Sequence, residues 1–230
     1  MKARDKRLLL HEEITLLALR DEEGTLVSGE KYPYAVGGAV LAEVMLGGRV
    51  GVDKDKKKRY VKLLDREPFD EPLVDECLEK IAAAKKRATL NTWVTRLAGT
   101  KKLRKRVVER LCRRGILREE EGKILFVFNR KVYPTLNREP EREVLERVRR
   151  AIFGNERDLD PRTAVLVSIA HSAGLLKLHF DKRELKERKE RIRQITSGEA
   201  VGRATKQAIE AMESAILVAC IVPVLVAAAD

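Results

Sequence analysis

The amino-acid sequence predicts a mainly α-helical protein, with a compact helical bundle core and one or two β-hairpins. Most apolar residues recur every three or four positions, which is the spacing of a helix with one buried face. Residues 51–68 and 119–134 instead alternate short extended segments with a charged or glycine-containing turn, as hairpins do. The sequence contains no internal repeat and no obvious linker, so we expect a single domain over residues 1–230.

The helices can be placed from this spacing and from the residues that begin or end helices. Gly47 and Gly48 close the second helix, and Gly115 caps the helix of the basic segment 101–114. Asp160 followed by Pro161 marks the start of a largely apolar helix that we expect to be central. The predicted helices cover residues 8–19, 34–50, two stretches between 73 and 97, then 101–114, 141–153, 160–176, 182–195 and 215–229.

The composition indicates what kind of partner and what cellular compartment to expect. The net charge of +12 and the pI of about 9.7 favour a polyanionic partner, such as nucleic acid, anionic lipid or an acidic protein. Cys77, Cys112 and Cys220 are too far apart for a zinc site or a disulfide framework, which suits a reducing, cytoplasmic compartment. Residues 215–229 are too few to cross a bilayer and contain Pro223, so any membrane association is expected to be peripheral.

No set of residues predicts catalysis, a metal site or a cofactor site. His11 lies beside Glu12 and Glu13, but on an amphipathic helix such residues usually face water. His171 lies in an apolar helix and is expected to be a core histidine. The glycines between residues 37 and 48 match neither the dinucleotide-binding pattern GxGxxG nor the phosphate-binding P-loop pattern. The sequence therefore predicts a protein that is not an enzyme.

The basic segment 101–114 has two interpretations. Eight of its fourteen residues are Lys or Arg, and Lys101, Arg104 and Lys105 share one helical face. A basic helix followed by a hairpin is typical of a winged-helix nucleic-acid-binding protein, although few side chains here could read bases. The alternative is an anionic membrane surface, which basic residues attract while an apolar hairpin inserts. The hairpin could also pack in the core or between protomers. Its apolar residues are Ile124, Leu125, Phe126, Val127 and Phe128.

The sequence resembles the Golgi phosphoprotein 3 family, in its prokaryotic-type members. The resemblance rests on LLLHEEITLLALRDEEGTL, GGAVLAEVMLGGRV, VVERLCRRGIL with the hairpin after it, VLVSIAHSAGLL and ERIRQITSGEA, which occur in family order. It implies a helical fold without enzymatic activity. It also implies a peripheral membrane protein that binds phosphatidylinositol 4-phosphate, helps to retain glycosyltransferases through their cytosolic tails, and uses the hairpin for membrane contact and self-association.

The resemblance also places the headgroup site. Two basic positions of the family, three residues apart, fall on Lys101 and Arg104. The family's tryptophan falls near Ser28 or Gly29 and its third arginine on Gly37, so both groups are missing here. Gly37 and Gly38, expected at a helix start, could bind phosphate through backbone N–H groups. Lys102, Lys105 and Arg106 would add general attraction. We thus expect an anionic-phospholipid protein, with no nucleic-acid partner.

Overall fold

The computed structural model describes residues 7–20, 24–27, 29, 31–55, 58–124, 128–156 and 158–198. At residues 54–55, 58–59, 122–124 and 128–130 the structure describes the backbone alone. The helices are α1 (Leu10–Leu17), α2 (Lys31–Leu46), α3 (Pro72–Ala82), α4 (Leu90–Ala98), α5 (Leu103–Arg113), α6 (Glu139–Phe153), α7 (Pro161–Ala173), α8 (Leu176–His179), α9 (Lys182–Glu187) and α10 (Lys189–Thr196). The strands are β1 (Leu19–Arg20), β2 (Thr25–Leu26), β3 (Val50–Asp55), β4 (Lys58–Leu63), β5 (Glu120–Ile124) and β6 (Phe128–Val132).

Helix α1 lies at the centre of the helical core. All eight of its residues are buried, and it packs against α2, α5, α6 and α7. Helix α2 packs in turn against α4 and α7, and α7 is buried along most of its length. Because α2 and α7 are apolar on most sides, they can be covered on several sides at once. The predicted mainly α-helical fold with hairpins is confirmed.

The predicted helix ends agree with the structure at three points. Gly115 follows α5 with φ of 69°, a left-handed conformation that glycine adopts without strain. The Asp160 carboxylate accepts a hydrogen bond from the Thr163 N–H at 3.0 Å, which caps α7. Gly48, with φ of 75°, closes the turn after α2. These local signals therefore set the bounds of the helices that carry and surround the site.

The strands form three antiparallel pairs in the described part of the chain: β1 with β2, β3 with β4, and β5 with β6. Both predicted hairpins are present. In the second, Ile124 pairs with Phe128 and Glu120 with Val132. The small β1–β2 pair was not predicted, and it follows directly on the end of α1. The backbone of β2 lies near β6, and the Tyr133 N–H points to the Gly24 carbonyl.

Two expectations about the second half of the chain are wrong. The single helix predicted over residues 182–195 is two helices, because Arg188 departs from helical geometry between α9 and α10. His171 is exposed in the last turn of α7, not buried in the core, because the buried part of that helix ends at Ala170. The predicted helix at 215–229 and Cys220 lie outside the described residues. Within the described residues, no helix is long and apolar enough to cross a membrane.

Candidate functional site: a basic cleft at the start of helix α5

Helix α5 begins in a way that favours an anion. Its N-cap residue, Lys102, has a left-handed φ of 56°, and no side chain caps the helix. Its first turn has no acidic residue but carries Arg104 and Lys105. The first N–H groups of any helix lack intrahelical acceptors, and the helix dipole adds positive potential there. Cationic side chains at this end therefore destabilise the helix in the free protein. The same side chains would attract a bound anion.

A cleft of about 400 Å³ opens beside this helix start, and we call it the α5 cleft. Its lining comes from the start of α5, the start of α2, the end of α4, and the end of strand β6 with the residue after it. Four cationic side chains line it, and none of the described lining residues is acidic. The lining residues are Tyr32, Pro33, Ala98, Thr100, Lys102, Leu103, Arg104, Lys105, Lys131 and Tyr133.

Arg104 is fixed in the cleft by two contacts from α2 and the loop before it. Its Nη2 donates a hydrogen bond to the Val27 carbonyl at 2.8 Å. Its guanidinium lies over the Tyr32 ring, 4.9 Å from the ring centroid. The Tyr32 hydroxyl is 2.9 Å from Thr15 Oγ1, and burial raises the pKa of Tyr32 to about 12, so the ring stays neutral. A guanidinium held in this way is preorganised and retains further N–H donors.

The cleft contains one of the two basic residues placed by resemblance. Arg104 lines it, whereas Lys101 is exposed in the turn before α5 and is not among the lining residues. Lys102 and Lys105 line the cleft, and Lys105 Nζ is 3.5 Å from Glu109 on the same helix. Arg106 instead forms an ion pair with Glu76 of α3. The cationic surface is thus shifted toward Lys102, Arg104 and Lys105.

The expectation that Gly37 and Gly38 begin a helix is wrong. Helix α2 begins at Lys31, so both glycines lie beyond its first turn and are buried. In helix geometry their N–H groups donate to carbonyls four residues earlier, which leaves none for a phosphate. A Cβ atom at Gly37 would lie 2.8 Å from the Ala98 N and 3.0 Å from the Val94 carbonyl. Glycine is needed there because α4 packs directly against α2.

The C-terminal half of the basic segment is part of an internal ion-pair network. Arg110 Nε lies 3.0 Å from one carboxylate oxygen of Glu12, and Arg114 Nη1 lies 2.7 Å from the other. Glu13 likewise pairs with Arg147 of α6 at 2.9 Å. The expectation that Glu12 and Glu13 face water is therefore wrong, since both are buried.

His11 is also buried, which again corrects the expectation that it faces water. Its side chain has no exposed surface, and its Nε2 lies 3.9 Å from Glu71 Oε2. Burial, with nearby arginines, lowers the pKa of His11 to about 3, so the ring is neutral in the folded protein. Neither ring nitrogen has a hydrogen-bond partner among the described residues. A neutral, enclosed imidazole of this kind belongs to the core.

The apolar hairpin residues can be followed only in part. Ile124 and Phe128 pair through the backbone at the ends of β5 and β6, and their side chains are not among the described features. Leu125, Phe126 and Val127 lie outside the described residues. The hairpin leads directly from the α5 cleft, because Lys131 at the far end of β6 lines it.

The lining residues that sequence analysis missed include Tyr32, Lys131 and Tyr133. Lys131 and Tyr133 are two residues apart, the spacing that places side chains on one face of a strand. That signal marks a shared face but does not indicate which helix faces it. Tyr32 lies at the start of α2, which begins three residues earlier than predicted. Only tertiary packing brings these residues to Arg104.

Comparisons with known proteins agree on one family. Residues 10–212 match the family described as Golgi phosphoprotein 3 (GPP34). The vacuolar protein sorting-associated protein 74 of Eremothecium gossypii is 26% identical over 218 residues. That alignment covers 79% of this chain and 65% of the relative, so the chain spans slightly less than two thirds of that relative's length. The family match includes every residue that lines the α5 cleft.

Proposed function

Because the chain belongs to the Golgi phosphoprotein 3 family, we propose that it is a non-enzymatic peripheral membrane protein that binds anionic phospholipid. The headgroup would lie in the α5 cleft, and phosphatidylinositol 4-phosphate is the candidate ligand that the family resemblance gives. The observation that carries this proposal is the cleft itself. Four cations and no described acidic side chain line it, and one of these cations, Lys131, belongs to strand β6 of the hairpin.

The charge distribution favours a membrane over nucleic acid. A nucleic-acid-binding helix needs its basic side chains free to contact phosphates and bases along its length. Here Arg106, Arg110 and Arg114 form ion pairs with acidic residues of the same chain. The cations of the α5 cleft form a compact group instead. A single headgroup phosphate fits that arrangement better than an extended duplex does.

Two kinds of protein partner follow from the resemblance and belong to the same proposal. Cytosolic tails of membrane proteins would be bound at the membrane surface, and a homo-oligomer would form through the hairpin. The name of the Eremothecium gossypii relative, a vacuolar protein sorting-associated protein, supports a role in sorting. Lys101, exposed beside the cleft, would add long-range attraction to an anionic surface.

Vesicle co-sedimentation tests the proposal. The full chain is incubated at about physiological salt with neutral phosphatidylcholine vesicles, or with vesicles that also contain phosphatidylserine or phosphatidylinositol 4-phosphate. We expect binding to the anionic vesicles only. Lys102→Ala/Lys105→Ala should weaken it by about 5- to 30-fold, since each lysine near a membrane contributes roughly 1 kcal/mol. Lys182→Ala/Lys186→Ala on α9 removes the same charge from residues that do not line the cleft, and it should have a smaller effect.

A second arm separates lipid from nucleic acid. Phe126→Asp/Phe128→Asp should abolish vesicle binding, because a carboxylate at the hairpin opposes insertion. The same variant should leave any binding to a fluorescent DNA duplex almost unchanged. Circular dichroism and thermal unfolding confirm that each variant folds. Wild-type protein that binds DNA but no vesicle would overturn the proposal. An equal loss of vesicle binding in the cleft variant and in the α9 control would also overturn it.

A further inference from the structure

We propose that a groove between the end of α5 and the start of α6 binds an acidic peptide segment of a partner protein, with an apolar residue beside its carboxylates. The groove has a volume of about 740 Å³, and we call it the α5–α6 groove. Its lining includes Arg113 and Ile116 on the α5 side and Pro140 and Val144 on α6. It shares no lining residue with the α5 cleft. Since α5 is 11 residues or about 16 Å long, the two openings lie at its opposite ends.

The charges of the α5–α6 groove favour an anionic partner. Five arginines line it against three glutamates, and three of the arginines belong to the internal ion-pair network described above. Glu13 and Glu139 are likewise paired with arginines. Within the described lining this leaves Arg7, Arg113 and Glu143 without an ion pair, and all three are exposed. Each free guanidinium can grip a carboxylate with two parallel N–H groups.

A buried ion pair at the groove can contact a peptide backbone. Glu13 and Arg147 both line the groove, and Arg147 Nη2 lies 2.9 Å from Glu13 Oε1. Among the described residues, however, Glu13 Oε2 and Arg147 Nε and Nη2 have no aligned hydrogen bond. The pair is therefore held by charge and can turn an acceptor and a donor toward a ligand. A peptide amide matches both, because its N–H donates and its carbonyl accepts.

An exposed leucine lies at the edge of the groove. Leu136 is 56% exposed, although it is a large apolar side chain. Its N–H donates a hydrogen bond to the carbonyl of Ile116, a lining residue, at 2.9 Å. Leu136 is thereby held beside the guanidinium groups of Arg7 and Arg113, which line the same groove. Apolar side chains next to arginines are typical of protein interfaces, so an apolar residue of the partner would cover Leu136.

The mixture of charges favours a peptide over a polyphosphate or a membrane. Glu139 and Glu143 line the groove beside the arginines, and they would repel the closely spaced charges of a nucleic acid or a lipid surface. A peptide instead alternates carboxylates with neutral amides and apolar side chains. It can place each group against its own counterpart in the groove.

Fluorescence anisotropy of labelled peptides with the full chain tests this binding. The probe is an acetylated and amidated peptide of alternating glutamate and leucine. Control peptides replace glutamate with lysine, or leucine with serine. We expect wild type to bind the glutamate–leucine peptide but not the lysine–leucine peptide, and to bind the glutamate–serine peptide about threefold or more weakly. No binding of the glutamate–leucine peptide up to about 1 mM would overturn the proposal.

Two variants with matched controls locate the binding site. Arg113→Glu should weaken peptide binding about fivefold or more, because it replaces an attraction by a repulsion. Arg183→Glu on α9 changes the net charge equally outside the groove and should change binding less than about twofold. Leu136→Asn should weaken binding about threefold or more, and Leu178→Asn, at another exposed leucine, should leave it unchanged. Equal losses in a variant and its control would contradict the groove as the site.

The same proteins separate the groove from the lipid site. Lys102→Ala/Lys105→Ala should leave peptide binding unchanged, and Arg113→Glu should reduce binding to phosphatidylserine vesicles no more than Arg183→Glu does. Vesicle binding without peptide binding would leave the lipid function standing and overturn the groove, whereas peptide binding without vesicle binding would do the reverse. If Arg113→Glu weakens the binding of vesicles or of a DNA duplex more than Arg183→Glu does, and no peptide binds, the groove takes phosphates and the acidic-peptide proposal is wrong.

Discussion

At the scale of single residues, the main feature is a set of charged side chains buried beneath the basic helix. Glu12 has no exposed surface, yet both of its carboxylate oxygens are paired with arginines of α5 and the end of that helix. A buried charge persists when it is paired and hydrogen-bonded, and breaking such a pair is strongly destabilising. Glu12 therefore holds α1 to α5 and fixes the direction in which α5 leaves the α5 cleft.

His11 gives a prediction about pH. Burial keeps its pKa at about 3 in the folded protein, whereas the unfolded chain titrates near pH 6.5. Below pH 6.5 the unfolded chain binds a proton that the folded protein does not. The free energy of unfolding should therefore fall as the pH is lowered from about 6.5 to 5, by up to ~1.4 kcal/mol per pH unit. Stability above pH 7 should be independent of this group.

Urea unfolding of wild type and His11→Phe at several pH values measures this effect. The variant has no titrating ring, so the difference in unfolding free energy between the two proteins should change with pH below 6.5. Glu71 acts in the opposite sense, because burial raises its pKa, and it is present in both proteins. A difference that stays constant from pH 7 to pH 5 would show that His11 takes up a proton as readily in the folded protein as in the unfolded chain, which would contradict its burial as a neutral ring.

Residue-level errors in the sequence analysis share one physical cause. His11, Glu12 and Glu13 are polar residues on a short helix, and local pattern alone places them in water. Their burial depends on partners such as Arg110 and Arg114, which lie 98 and 102 residues later in the chain. Arg104 could be identified because both the helical spacing and the family resemblance are local. Lys131 could not, since its proximity to α5 arises only from tertiary packing.

At the scale of elements, the packing of α2 on α4 sets one end of the α5 cleft. Gly37 allows the two helices to approach until its Cα faces the backbone of residues 94–98. Ala98, at the end of α4, lines the cleft. The glycine thus affects the site through helix packing instead of through phosphate contact. Sequence analysis predicted α2, α4 and both hairpins close to their observed positions, but the spacing of apolar residues carries no information on how closely two helices approach.

Gly37→Ala tests this role. Alanine is favoured over glycine in a helix interior by about 1 kcal/mol, so an unconstrained site would be stabilised. Here the added Cβ would lie 2.8 Å from the Ala98 N, and the neighbouring atom belongs to the backbone. We expect a net loss of roughly 1–3 kcal/mol in the free energy of unfolding, measured by urea denaturation. A gain in stability would mean that α4 can move away without cost.

At the scale of the whole molecule, the positive charge is divided between two roles. The net charge of +12 attracts any anionic surface and does not by itself select a ligand. Part of the basic segment, including Arg106, Arg110 and Arg114, stabilises the fold through ion pairs. The remaining part, at the start of α5, faces a cleft whose described lining has no acid. Composition predicted the attraction, and only the fold shows which cations are available.

Hydrogen–deuterium exchange of the full chain, with and without vesicles containing phosphatidylinositol 4-phosphate, tests the central claim most directly. It reports where the membrane contacts the protein. The account predicts slower exchange in the peptides that cover residues 99–106 and 120–133, and little change in α9 and α10. Vesicles of neutral lipid should leave all of these peptides unchanged. Protection that appears in α9 and α10 while residues 99–106 exchange as before would contradict the α5 cleft as the lipid site.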